Sequence, residues 1–336
     1  MAVPPPTALG RILRNSAWGI LGLSLGAPLN FVVTILLARG LGTSGFGAFE
    51  AIFAYCGIIQ IFAEGGLSTV LVRRIATDRD SAARHLGEAK ARIWIRTVGA
   101  FEGGVLFALV RCPPQFLPAA VILLAATLVT VHAMVHVAIF RAFEEMGWNA
   151  AGFVLQKGLN VLFLVLLVWL PTQASVHLRV TGAAVSLLLA NLALLTFYAT
   201  AVKRRHLPGV RPVYDPAAWW SLVRESVMLG LGRTLRKMTW QVDRLLLPLM
   251  AGIGATGIYG AAYRPLFFFN WIPFVVAIPL FPHLSRLAET DRGELAKTYT
   301  KALKFMAIVS LPTSAALTAL AEPLILLFYS EEYLAS

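Results

Sequence analysis

The stretch LLARGLGTSGFGAF, Leu36–Phe49, returns at a constant offset as LLPLMAGIGATGIY, Leu246–Tyr259. Gly42 and Gly47 fall on Gly252 and Gly257, and Phe49 falls on Tyr259. Each copy lies where one long apolar run gives way to the next, so each reads as the turn that closes a helical hairpin. Glycine serves both needs of such a turn. It reaches backbone conformations closed to other residues, and without a side chain it lets two helices approach closely. The repeat predicts a chain built in two related halves.

Working outward, the flanking sequence is apolar over long distances. The chain has 336 residues, of which 58% are hydrophobic and 14% charged; a soluble domain carries about 25% charged residues. A membrane-crossing helix needs about 20 mainly apolar residues. Spans are expected near Ala17–Ala38, Phe46–Val70, Ile93–Val110, Leu117–Phe140, Asn149–Leu170, Val180–Val202, Met228–Met250, Ile258–Phe281 and Ala302–Leu320. All must be helical, because an unpaired backbone group in lipid costs several kcal/mol and no barrel-like alternation is present. The first run continues to Ala38, too long for a cleaved signal peptide, and reads as a retained helix.

The formal charge of +12 does not indicate nucleic acid, because the cations lie in short loops between apolar runs. One set of loops holds Arg73, Arg74, Arg79, Arg84, Lys90, Arg92, Arg141, Lys203, Arg204, Arg205, Arg211, Arg286, Arg292, Lys297 and Lys301. The alternate loops hold Arg39, Arg111 and Arg179. By the positive-inside rule the first set and the N-terminus, with Arg11 and Arg14, are cytoplasmic. The proline-rich basic stretch Lys203–Trp220 reads as a linker. It divides a six-helix lobe (1–202) from a second lobe (221–336) with three helices. A matching second lobe would need more helices after Leu320, so this half is expected to be incomplete.

The seventh span, MLGLGRTLRKMTWQVDRLLLPLM, carries Arg233, Arg236, Lys237 and Arg244 on one helical face, with Gln241 and Asp243 at its margins. Each cation costs about 2.5–3.5 kcal/mol at the bilayer centre. Four facing lipid would cost on the order of 10 kcal/mol, so the stripe must meet water or partners. Snorkelling to the interface suits Arg233 but not Arg244, roughly 16 Å further along the helix. Pairing with Asp243, Glu50 or Glu64 is the structural alternative.

Glu50, Glu64, Glu102, Lys157 and Arg264 are the other ionisable groups within spans. Arg264 is a further cavity cation. Glu50, Glu64, Asp243 and Lys157 are coupling or cavity charges, and Lys157 can also simply neutralise Glu64 or Glu102. Pro28 and Asn30 can kink or hinge the first span. His132 and His136 share a face, but helix–helix hydrogen bonding is favoured over a metal, for which no HExxH pattern exists. Cys56 and Cys112 make no disulfide framework. No GxxxxGK[ST] motif or nucleophile–base set appears, so neither a cofactor nor an enzyme is expected.

Several segments together resemble the polysaccharide flippases of the multidrug/oligosaccharidyl-lipid/polysaccharide (MOP) exporter superfamily. These are ILLARGLGTSGFGAFEAI, GGLSTVLVRRIA (Gly65–Ala76), FRAFEEMGWNAAGFVLQKGLN (Phe140–Asn160), QVDRLLLPLMAGIGATGIYGAAYRP (Gln241–Pro265), LFPHLSRLAE and AEPLILLFYSEEYL. The resemblance implies an all-α, polytopic helical membrane bundle of two lobes around a cavity, with the second lobe incomplete here. It implies alternating access that carries a polyprenyl-pyrophosphate-linked oligosaccharide to the outer leaflet, in a bacterial plasma membrane. Expected partners are the lipid-linked glycan, membrane lipids and a polysaccharide polymerase or export machinery. A cation-coupled multidrug exporter and a membrane-embedded glycan polymerase or ligase are the competing readings. A carboxylate-dominated cavity would favour the first, and a large outer loop the second.

Overall fold

The computed structural model describes residues 8–171, 173–215, 224–226, 232, 235, 238–239, 242–269, 280 and 284–334. Among them the regular structure is entirely helical. In order come α1 (Ala8–Glu64), α2 (Leu67–Thr77), α3 (Ala82–Arg111), α4 (Leu117–Ala142), α5 (Met146–Leu164, extended by a π turn over Val165–Trp169) and α6 (Val176–Arg205). Then follow α7 (Val242–Met250), α8 (Gly252–Phe269), α9 (Arg292–Ala319) and α10 (Ala321–Phe328). Six helical stretches among the described residues are long and apolar enough to cross a membrane, and the first, Arg14–Thr77, is long enough for two passes.

α1 is two limbs joined at Gly42, where φ is 67° and ψ 176°. That combination is essentially confined to glycine, and it turns the chain where the repeat predicts a turn. Gly252 has φ 85° at the matching position between α7 and α8. Both hairpins of the repeat therefore reverse on a glycine that no other residue replaces without strain.

Several helices overrun the expected spans, and one stops short. α1, α3 and α9 begin at Ala8, Ala82 and Arg292, ahead of the spans expected from Ala17, Ile93 and Ala302. The second span, expected to run to Val70, stops at Glu64, because Gly65 and Gly66 take φ of 49° and 79°. A new short helix, α2, starts beyond them. Its first turn is held by the Glu64 carboxylate, which accepts from the amides of Gly66 and Ser68 (both 3.1 Å) and from the Ser68 hydroxyl (2.5 Å).

The chain divides into two compact units, Met1–Gly257 and Ile258–Ser336. In the first, α4 is central. Leu123, Leu124, Val131, Ile139 and Phe140 are all fully buried, packed between α6, α3 and the second limb of α1. The two ends of this bundle sort the charges as the loop pattern predicts. At one end Arg84 meets Asp215 (3.4 Å), Lys90 donates to the Val210 carbonyl (3.1 Å), and Arg205 meets Glu145 (3.7 Å). At the other, Trp169 donates to the Leu36 carbonyl (3.1 Å) and Arg179 to that of Gly40 (3.2 Å). Within this unit, therefore, the two sets of loop cations lie at opposite ends of the bundle.

Lys203, Arg204 and Arg205 complete α6, and residues 210–215 lie along the start of α3, where the Val213 amide donates to the Gly87 carbonyl (3.0 Å). In the second unit Asp291 caps α9, accepting from the amides of Gly293 (2.8 Å) and Glu294 (3.0 Å).

Candidate functional site

The two copies of the repeat bring a charged pair together. Within the first unit the second limb of α1 packs against the start of α8 through Gly47 and Gly257. A Cβ on Gly47 would strike the Ile253 carbonyl, and one on Gly257 would strike that of Thr43. Ile253 stands in the second copy where Thr43 stands in the first, so the contact is reciprocal, as a local two-fold axis requires. Backbones this close are possible only between glycines.

This crossing sets the distance between α1 and α7. Arg244 Nη1 lies 3.6 Å from Glu50 Oε2, with the side chains 15% and 1% exposed. Eight residues separate Glu50 from Gly42, and eight separate Arg244 from Gly252. Each charge thus sits about 12 Å from its own turn, well inside a hydrocarbon layer of about 30 Å. A lone Arg or Glu at this depth is strongly disfavoured, and a close opposite charge offsets part of that cost. The pairing named as the structural alternative for Arg244 is realised, with Glu50 as partner.

The other expected site residues are more dispersed. Glu64 lies fourteen residues beyond Glu50, about 21 Å further along, and is occupied in holding α2. Arg96 reaches across from α3 to the carbonyls of Phe62 and Glu64, closing the same helix end. Asp243 turns its carboxylate back to the Arg244 amide (2.8 Å). Lys157 is on α5 with its ammonium 5.8 Å from the centre of the Phe153 ring. Arg264 is half-buried on α8 in the second unit. Arg233, Arg236, Lys237 and Gln241 lie outside the described residues.

Pro28 lies within the first limb, and the Thr34 hydroxyl donates to the Asn30 carbonyl (3.1 Å). The one non-helical residue inside α1 is Gly42. Glu102 is exposed on α3.

His132 meets the Thr97 hydroxyl of α3 (3.1 Å) and the edge of Trp94, while His136 contacts the His132 carbonyl (2.9 Å). His132 thus joins α4 to α3, while His136 bonds back within α4, and no group of three metal-ligating side chains exists among the described residues.

A buried amide network escaped the sequence reading. Gln156 of α5 donates to Asn191 of α6 (3.0 Å), which donates to the Ala126 carbonyl of α4 (2.9 Å). Nearby, Ser186 reaches Asn160 (3.2 Å). Gln156 and Asn160 are four residues apart in an apolar run, and that spacing was the available signal.

The chain as a whole resembles known proteins. Residues 12–288 match the family model described as polysaccharide biosynthesis protein. The chain belongs to that family. Among curated relatives, a Shigella flexneri protein named "Putative O-antigen transporter" is 36% identical over 70 residues. That stretch is 21% of this chain and spans only 16% of the relative.

The fold of this family member matches those of solved MOP-superfamily transporters. One is an inward-facing multidrug resistance MATE family transporter, with TM-score 0.67, 20% identity, and coverage of 93% of this chain and 76% of that one. Another is the Pyrococcus furiosus MOP transporter described as having a binding pocket of reverse polarity, with TM-score 0.57, 18% identity, and coverage of 96% and 74%. Its membrane-length apolar helices make the protein an integral membrane protein, and its fold is the one seen in those solved MOP-superfamily transporters.

Proposed function

We propose that this family member flips a polyprenyl-pyrophosphate-linked oligosaccharide from the cytoplasmic to the outer leaflet by alternating access. The observation that carries the reading is the Arg244–Glu50 pair, one charge from each copy of the repeat, deep in the apolar zone. A guanidinium presents a planar fork of donors that matches phosphate oxygens. An entering pyrophosphate competes with Glu50 for Arg244, so arrival of substrate loosens a contact between the repeat copies. In this reading Arg233, Arg236, Lys237 and Arg264 are further substrate-binding cations. Glu50, freed from Arg244, is the natural proton or cation carrier for the return step. Glu64 is less suited, because three donors already hold it.

The lobes in this reading are 1–202 and 221–336, joined through 203–220, with Pro28 and Asn30 bending the first limb as they rock. The membrane is the bacterial plasma membrane with the N-terminus cytoplasmic. An inside-negative potential then favours outward anion movement by about 2.3 kcal/mol per charge per 100 mV. A polysaccharide polymerase or export machinery takes the product.

The test is reconstitution of the chain in liposomes with a lipid-linked glycan in the loaded leaflet. Transfer should require Arg236 and Arg244, with the Arg236→Ala/Arg244→Ala variant inserting normally but not transferring. Transfer by that variant at the parental rate defeats the cation role. Proton-driven efflux of lipophilic cations without glycan transfer establishes the multidrug reading instead.

A further inference from the structure

A second site lies away from the repeat, in the first unit, where α1 begins, α4 turns into α5 and α6 ends. A cavity of about 410 Å³ opens there, lined by Arg14, Asn15, Trp18, Glu145, Trp148 and Arg205 among others. This volume is within the usual range for small-molecule sites, about 300–1,000 Å³.

The cavity's chemistry is that of a membrane interface. Arg205 lies with its guanidinium carbon 5.4 Å from the centre of the Trp148 ring. Its Nε is held 3.7 Å from Glu145 Oε2, which also takes His206 Nε2 at 3.2 Å. Glu145 thereby holds Arg205 beside the indole. Arg14 has no ion-pair or hydrogen-bond partner among the described residues. With His206 neutral, Arg14, Arg205 and Glu145 sum to one positive charge, which one phosphodiester balances.

Two apolar stripes continue from this cavity along facing helices. On α1, Arg14 is followed on the same face by Trp18, Leu21 and Leu25, which are 45%, 49% and 57% exposed. On α5, Trp148 is followed by Ala151 and Leu155. The helices meet tightly behind the stripes, where Gly22 abuts Ala150 and Gly26 abuts the Phe153 ring. The result is a cation at the headgroup level, an indole one turn deeper and leucines below it, on both sides of a closed floor. Tryptophan and arginine at such a level are the usual interfacial anchors.

We propose that this α1/α5 groove is a binding site for one membrane phospholipid. Its phosphodiester lies between Arg14 and Arg205, and an acyl chain lies along Trp18, Leu21, Leu25 and Leu155. The site is independent of the Arg244–Glu50 pair and of what the transporter carries.

The test is native mass spectrometry of the delipidated full chain titrated with phosphatidylglycerol, with inorganic phosphate as a separate arm. The parent should retain one phosphatidylglycerol more tightly than the rest. Arg14→Gln alone, which removes no hydrogen bond or ion pair among the described residues, should weaken that molecule several-fold. Arg14→Gln/Arg205→Gln should weaken it about thirty-fold, taking each interfacial cation at its usual worth. Arg111→Gln, at the opposite end, should leave it unchanged. Retention by the double variant equal to the parent overturns the proposal. So does displacement of the lipid by millimolar inorganic phosphate, which marks a free-anion site. Weaker retention of the same lipid in a Leu21→Ser/Leu25→Ser variant supports the acyl-chain placement, and unchanged retention overturns it.

Discussion

Replacing Glu50 with Leu removes the carboxylate 3.6 Å from Arg244 and leaves a guanidinium only 15% exposed without that partner. At an effective dielectric of about 20, two unit charges at this separation attract by about 4–5 kcal/mol. Breaking a buried pair from one side costs about 3–5 kcal/mol, because the remaining charge stays desolvated. Replacing both members with apolar residues is often close to neutral. Glu50→Leu and Arg244→Leu should therefore each lower the thermal midpoint of the detergent-solubilised protein by roughly 5–10 °C. The Glu50→Leu/Arg244→Leu variant should recover most of that loss and still fail to move glycan. The assay is tryptophan-monitored unfolding of all four proteins as a double-mutant cycle. A double variant as unstable as the two single losses added together would refute the reasoning, since the charges would then be uncoupled.

Three further outcomes follow from the geometry. Gly42→Ala and Gly252→Ala should each cost about 1–3 kcal/mol, because both positions have positive φ; unfolding midpoints equal to the parent would contradict the hairpin turns. His132→Ala should lower stability by on the order of 1 kcal/mol through loss of the Thr97 contact, and chelators should not alter the parent; a chelator-induced shift would restore the metal reading. Asp78, in the loop before α3, is held below its usual carboxylate range by the hydroxyl and amide of Ser81. A depressed folded pKa means its contribution is present above the unfolded value of about 3.9 and is lost as pH falls through the folded value. The protection of the Ser81 amide, measured against its intrinsic exchange rate, should therefore fall on acidification below pH about 4 in the parent but not in Asp78→Asn.

The repeat was legible because its glycines mark positions where a side chain is geometrically excluded. The sorting of loop charges was legible because lipid forbids charges in between. The break at Gly65–Gly66 was not, since the apolar run continues through it and only the turn geometry shows that Glu64 serves as a cap. Arg244 was identified as a deep charge, but nothing in one strand of sequence selects Glu50 over Glu64 or Asp243 as its partner. That choice depends on the reciprocal packing of Gly47 and Gly257, which fixes which turn of α1 faces α7. The amides of Gln156, Asn160 and Asn191 are too few in any one helix to stand out, and become a network only when α4, α5 and α6 pack.

We propose that the cations of the seventh span face water rather than acyl chains. Thiol accessibility tests it directly. In a background with Cys56 and Cys112 replaced, single cysteines at Arg236 and Arg244 should react with a charged, membrane-impermeant thiol reagent, and lipid-linked glycan should protect them. A cysteine at Leu106, 65% exposed on the apolar face of α3, should stay unreactive. Inertness at both cation positions, matching Leu106, would contradict the account.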